Sequence, residues 1–108
     1  METFNYLGFG RHPSKCGVTI KNDNNNVTVI LTELDNNPGT SITNAYEEIA
    51  TKLYNEQLQH VDPASIRWIE HYSSKRYGET FDEVSLHWDG RKYSSPVWTK
   101  LKDDVFEL

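Results

Sequence analysis

Hydrophobic and polar positions alternate with a period of two along two stretches in the second half of the chain. IRWIEHY (66–72) and FDEVSLHW (81–88) are rich in aromatic and β-branched residues and flank the polar segment SSKRYGET. Because the side chains of a β-strand point alternately to opposite faces of its sheet, each stretch predicts one strand. With the polar segment as the turn, the two strands form an antiparallel hairpin.

The same alternation predicts the register of this hairpin. Matching the two apolar faces sets Trp68 near Val84 or Leu86. It also sets Glu70 near Asp82, on a face that otherwise carries apolar residues. Such a local conflict between pattern and burial often marks a functional site.

The opposite face of the hairpin is predicted to carry charged pairs. In this register His71 lies near Glu83, and Arg67 lies near His87. Because a slip of one residue would exchange the two faces, both pairings depend on the register.

A second hairpin is predicted in the first half of the chain. CGVTIKN (16–22) and VTVILTEL (27–34) are rich in β-branched residues, and the aspartate and asparagines between them favour a turn. Val29 and Ile30 are adjacent and therefore lie on opposite faces, so both faces are partly apolar. We expect the N-terminal arm, the C-terminal segment or another subunit to cover the second face.

The clearest helix follows this hairpin. Apolar residues recur at helical spacing and form one stripe, made of Ile42, Ala45, Tyr46, Ile49, Leu53 and Leu58. Ser41, Thr43 and Asn44 are candidate N-caps, with Glu47 in the capping-box position relative to Asn44. The loop before the helix, DNNPGTS (35–41), matches neither the Walker A nor the dinucleotide-binding pattern, so ordinary capping is favoured over phosphate binding.

The two ends of the chain flank these elements. Residues 1–15 place aromatic residues among glycines and reach Pro13, which predicts an extended arm docked on the domain. After a turn at Asp89-Gly90, the run RKYSSPVWTKL fits either a short helix starting at Ser95-Pro96 or an edge strand through Tyr93. The predicted fold is one α+β domain over residues 1–108. It is a two-layer sandwich with a mostly antiparallel sheet of about four strands, in the order β-β-α-β-β, and one main helix on one face.

Composition narrows the classes of function. The chain has 108 residues, 36% of them hydrophobic, and a net charge of −5, which argues against nonspecific nucleic-acid binding. Its single cysteine, Cys16, forms neither an intrachain disulfide nor a cysteine-based zinc site, and its strand context predicts a small core residue. The N-terminal stretch lacks the pattern of a signal peptide, and no apolar run is long enough for a membrane helix. We expect a soluble, cytoplasmic protein.

Two clusters of polar residues are candidate chemical sites. Glu33, Glu70 and Asp82 have the hard oxygen ligands that bind divalent metals, and a carboxyl with a raised pKa can transfer protons. The favoured alternative is a set of ion pairs at a sheet end, for example with Lys52, because such networks resemble active sites. The sequence therefore predicts no metal and no cofactor.

A second set combines two histidines with two carboxylates. The candidate catalytic residues are Glu70, His71, Glu83 and His87. Histidine with carboxylate suits a small hydrolase or nuclease, and two histidines with a carboxylate can hold zinc. The histidines lack the close spacing of a metal or catalytic motif, so ordinary surface pairing with acids is favoured.

Two aromatic residues and one arginine are the candidates for binding a ligand or a partner. Tyr72, Arg76 and Trp98 are the residues predicted for this role. The high aromatic content of so small a domain more often belongs to the core, so most of the other aromatic residues are expected inside. Any aromatic residue on the second sheet face is a candidate interface residue.

Four segments together resemble a known group of proteins. They are NPGTSITNAYEEIA, IRWIEHY, FDEV and SSPVWTKL, and the resemblance covers about residues 15–101. The chain resembles small bacterial proteins that carry NPGTS, IEHY and FDxV motifs and whose genes often travel on mobile or cassette-type DNA. The resemblance implies no activity and no site residue.

The sequence favours a noncatalytic binding or interaction module over an enzyme. We expect an accessory protein of a mobile element that is a homodimer through the second sheet face and binds a protein or small-molecule partner. The alternative is a small hydrolase or nuclease that uses the glutamate and histidine set, with or without a metal. An enzyme predicts that these side chains converge in a cleft, whereas a module predicts dispersed polar residues and an apolar surface patch.

Overall fold

Six strands and one helix make up the part of the chain that the structure, a computed structural model, describes. The described residues are 2–7, 13–34, 45–72 and 81–100. The strands are β1 (Glu2–Leu7), β2 (Pro13–Asp23), β3 (Asn26–Glu33), β4 (Ile66–Tyr72), β5 (Phe81–Trp88) and β6 (Tyr93–Lys100). Helix α1 (Tyr46–Leu53) continues through a π-helical turn, Tyr54–Leu58, and a 3-10 turn, Pro63–Ser65, precedes β4.

The strands form one sheet in chain order, β1-β2-β3-β4-β5-β6. Every neighbouring pair is antiparallel except β3 and β4, which are parallel. A parallel pair needs a crossover connection, and the segment that contains α1 supplies it. The α+β class is confirmed. The predicted sheet of about four strands is wrong, because the sheet has six strands and curls strongly into a half-barrel.

The two additional strands come from the ends of the chain. The predicted arm contains β1, which pairs along its length with β2, and its Phe4 and Tyr6 lie in the core. The C-terminal run forms strand β6, so the alternative of a helix starting at Ser95-Pro96 is wrong. Proline is tolerated there because β6 is at the sheet edge.

The helix packs its predicted stripe against the sheet. Of that stripe, Ala45, Tyr46, Ile49, Leu53 and Leu58 are buried, as the spacing predicts. The helix begins at Tyr46, and the residue before it makes no side-chain capping bond. Residues 35–44 lie outside the described residues. They include Ile42, which is the remaining residue of the predicted stripe, the candidate caps Ser41, Thr43 and Asn44, and the DNNPGTS loop.

Both hairpins follow their predicted pairing. The first turns at Asn24, whose φ of 55° lies in the left-handed region that asparagine tolerates. In the second, Trp68 pairs with Val84 and Glu70 pairs with Asp82, which confirms the predicted register of the apolar face.

The predicted charge pairs on the other face of the second hairpin are diagonal neighbours rather than directly opposite residues. The register sets Ile69 opposite Glu83, so Glu83 lies diagonally from both Arg67 and His71. The Arg67 guanidinium donates to the Glu83 carboxylate at 3.1 Å. In the same register Arg67 is also diagonal to His87, so the predicted proximities of Arg67 to His87 and of His71 to Glu83 stay predictions.

The core lies between the helix and one face of the sheet, but the other face is also partly buried. On the helix side, Val29, Leu31 and Trp68 pack with α1. On the opposite face, Ile30 and Ile69 are 0% exposed. A single chain already buries these two residues, and β1 does not cover them, because its buried residues belong to the helix-side core.

The turn between β5 and β6 depends on Asp89 and Gly90. The Asp89 carboxylate accepts the backbone N–H groups of Arg91 and Lys92 at 2.8 and 3.0 Å, and these bonds lower its pKa. Gly90 has a φ of 97°, a conformation that a Cβ atom disfavours.

Replacing Gly90 with alanine is expected to lower the free energy of unfolding by about 1–2 kcal/mol. The space around Gly90 is open, so any cost comes from the backbone conformation rather than from a clash. Urea unfolding measures the change, with exposed Ser85→Ala as the control. An unchanged unfolding midpoint for the Gly90 variant would contradict the expectation.

Candidate functional site

The three candidate metal ligands share one face of the sheet. Leu31, Glu70 and Asp82 are neighbours across β3, β4 and β5, and Glu33 lies two residues beyond Leu31 on the same side. Glu70 is 0% exposed, whereas Glu33 and Asp82 are half-buried. Within the described ranges, no group of three or more histidine, cysteine or acidic residues is arranged to hold a metal ion.

The four candidate catalytic residues are distributed over both faces of the sheet. Glu70 points toward the helix side, whereas His71, Glu83 and His87 belong to the opposite face. His71 is opposite residue 81, which is six positions before His87 on β5, so the two histidine positions are about 20 Å apart along the strand. Glu83 is bound to Arg67. The structure does not bring the four side chains into one cleft.

The candidate ligand-binding or partner-binding residues stay predictions. The backbones of Tyr72 and Trp98 belong to β4 and β6. Their side chains, and the whole of Arg76, lie outside the described residues.

Most of the described aromatic residues belong to the core, as predicted. Tyr93 is at the centre of the group: its ring lies 5.2 Å from Trp68, 4.9 Å from Trp88 and 6.0 Å from Tyr54, measured between ring centroids. Its backbone N–H donates to Thr51 Oγ1 at 3.0 Å, which ties β6 to the helix. Burial raises the pKa of Tyr93 to about 12. These contacts describe a packed core rather than an open aromatic pocket.

Cys16 is also a core residue. It is fully buried on the helix side of β2, and this burial raises the pKa of its thiol to about 12. A nucleophilic cysteine needs a lowered pKa and access to solvent, and Cys16 has neither.

The structure contains a cleft that the sequence reasoning missed. This β1–α1 cleft, of about 580 Å³, lies between the ends of β1 and β2 and the helix. Its lining residues are Asn5, Tyr6, Leu7, Pro13, Ser14, Lys15, Leu34, Glu48 and Lys52. Lys15, from β2, and Lys52, from α1, are 37 positions apart in the chain. No local sequence motif therefore indicates that they line one cleft.

The β1–α1 cleft combines apolar walls with a small excess of positive charge. Leu7 and Leu34 are large apolar residues that remain exposed at its wall. Lys15 and Lys52 outnumber the one acidic lining residue, Glu48. The Lys52 ammonium also lies 5.4 Å from the centre of the Phe4 ring, which holds its charge beside β1. This combination suits a ligand with an apolar body and a negative group.

Comparisons with protein-family models, with curated proteins and with solved structures found no match. The resemblance to cassette-borne bacterial proteins therefore stays an interpretation of the motifs. No helix in the described part of the chain is long and apolar enough to cross a membrane.

Proposed function

We propose that the protein is a noncatalytic binding module whose β1–α1 cleft takes a small organic anion with an apolar body. The observation that carries the proposal is the pairing of exposed apolar wall with two lysines in one cleft of about 580 Å³. That volume lies within the range of small-molecule sites in proteins, roughly 300–1,000 Å³. The accessory role in a mobile element that the sequence leads us to expect is compatible with such a module.

Each part of the cleft has a role in this proposal. Leu7 and Leu34, which remain exposed, provide contact area for the apolar body of the ligand. Lys52, on the helix side, provides the ammonium group for its carboxylate, and a charge-assisted hydrogen bond is about twice as strong as a neutral one. Glu48 disfavours a second negative group, so a monoanion is the preferred class.

Titration with benzoate and hexanoate, followed by amide chemical shifts in NMR, tests this proposal. We expect shifts at Asn5, Leu7, Lys15 and other residues of the cleft, and none with neutral benzamide at the same concentration. We expect Lys52→Met to weaken carboxylate binding by about 10-fold, the value of one charged hydrogen bond.

The matched control is Lys92→Met, which removes an exposed lysine from the β5–β6 turn. This variant should bind as the parent does. Equal weakening by the two lysine variants, equal shifts with benzamide, or the absence of shifts in the cleft at millimolar carboxylate would each overturn the proposal.

The alternative, a small hydrolase or nuclease, needs its acidic and histidine side chains to act on one bond. Proton transfer requires heavy atoms about 3 Å apart or joined by one water. Glu70 is inside the helix-side core, and His71 and His87 are separated by about 20 Å along β5. The binding module is therefore the function that the geometry supports best.

A further inference from the structure

The two edges of the sheet differ in how well they can accept another strand. Among the described strands, β1 pairs only with β2, and β6 pairs only with β5. An open edge presents free backbone N–H and C=O groups, which are a template for pairing with another chain. Pro96 lacks one of these donors in β6, whereas β1 contains no proline and no charged residue after Glu2. The β1 edge is therefore the better template.

We propose that two copies of this chain associate by antiparallel pairing of their β1 strands. A two-fold axis through Asn5 sets this residue opposite its own copy. The same axis sets Phe4 opposite Tyr6 of the second copy, on the helix side, and Thr3 opposite Leu7 of the second copy, on the other side. No pair in this register joins two charges of the same sign.

The helix beside β1 supplies a second, independent argument from charge. Lys52 lies over the Phe4 ring, and Glu48, one turn earlier, lines the cleft with Tyr6 and Leu7. Because the axis sets Phe4 opposite Tyr6, Lys52 of each copy faces Glu48 of the other. Both side chains are exposed in the single chain and are available for this pairing. The surface is self-complementary, as a two-fold interface requires.

This interface differs from the one that the sequence predicts. The predicted homodimer covers the second sheet face, yet Ile30 and Ile69 of that face are already buried in one chain. Pairing along β1 extends the sheet instead and leaves that face unchanged. The inference goes beyond the ligand proposal and does not rest on it, and self-association is measured without any added anion.

Charge reversal, followed by sedimentation velocity, tests the proposal. We expect the parent protein to sediment as a dimer, and Glu48→Lys and Lys52→Glu each to raise the dissociation constant by about 10-fold or more, because each places like charges across the axis twice. An equimolar mixture of the two variants should restore the dimer as a heterodimer, since lysines of one chain then face glutamates of the other. A pairing of residues 48 and 52 within one helix does not predict this recovery.

A pair of lysine substitutions at the two edges gives the matched control. Asn5→Lys sets two ammonium groups opposite each other at the axis and should give a monomer. Val97→Lys, on β6 and 63% exposed, should leave the dimer intact. Far-UV circular dichroism checks that each variant is folded. A monomeric parent at every concentration, equal dissociation by the two lysine variants, or a mixture that stays monomeric would overturn the proposal.

Discussion

Replacing Trp68 with alanine is expected to lower the free energy of unfolding by about 3–5 kcal/mol. The side chain is 2% exposed and packs with the helix-side core. Its ring meets Tyr93 edge to face, with centroids 5.2 Å apart and planes at 72°. Alanine removes both the buried apolar area and this aromatic contact, and the rigid strands on either side prevent the cavity from closing.

Urea unfolding followed by far-UV circular dichroism measures this effect. Val97→Ala is the control, because Val97 is 63% exposed and its truncation should change stability by less than about 0.5 kcal/mol. Ile69→Ala removes a fully buried side chain from the opposite face and should cost about 2–5 kcal/mol. A cost below about 1 kcal/mol for Trp68→Ala would show that this residue is not at the centre of the core.

The second large effect concerns the chemical reactivity of Cys16. Its thiol is expected to react with a disulfide reagent at pH 8 roughly 1,000-fold more slowly in the folded protein than in the unfolded chain. Burial raises its pKa from 9.0 to about 12. At a pH below both pKa values, each unit by which the pKa rises lowers the thiolate fraction tenfold. The thiolate is the form that reacts.

The sign of the pH dependence follows from the same shift. An exposed thiol approaches full ionisation as the pH rises through 9, so its rate levels off. The folded thiol should continue to gain about tenfold in rate per pH unit above pH 9, because its own pKa is about 12. Reaction through transient unfolding follows the unfolded-state pKa and levels off instead, so the pH profile separates the two routes.

The matched control moves the thiol to the surface. In the double variant Cys16→Ser with Val97→Cys, the only cysteine is at an exposed position of β6. This thiol should react at nearly the rate of the unfolded chain. A parent rate within tenfold of this control would contradict the burial of Cys16.

Local patterns were sufficient for several parts of this fold. Alternation along β4 and β5 predicted both strands and set Trp68 near Val84 or Leu86, because a slip of one residue would expose the apolar face; the structure pairs Trp68 with Val84. Helical spacing predicted the buried stripe of α1 for the same reason. The turns at Asn24 and Gly90 followed from residues that tolerate a positive φ.

The edge strands were not determined by local pattern. Phe4 and Tyr6 alternate over too few residues, beside glycines, to separate an arm from a strand, and only pairing with β2 makes this segment a strand. Residues 93–100 fit a helix or a strand until pairing with β5 satisfies their backbone groups. Pro96 fits both a helix start and an edge strand, so it did not decide between them.

For the candidate sites, too, the sequence predicted the local neighbours, and only the tertiary structure showed burial and long-range distances. The sequence placed Glu70 beside Asp82, and the register agrees, but only the tertiary structure showed that Glu70 is wholly buried and that His71 and His87 lie far apart. It also brought Lys15 and Lys52, distant in the chain, into one cleft. By itself, the sequence determined the α+β class, the central hairpins and the helix face, because these depend on residues close together in the chain. The number of strands, the parallel β3–β4 pair and the cleft were decided only by tertiary structure, because they depend on contacts between distant segments that no local period encodes.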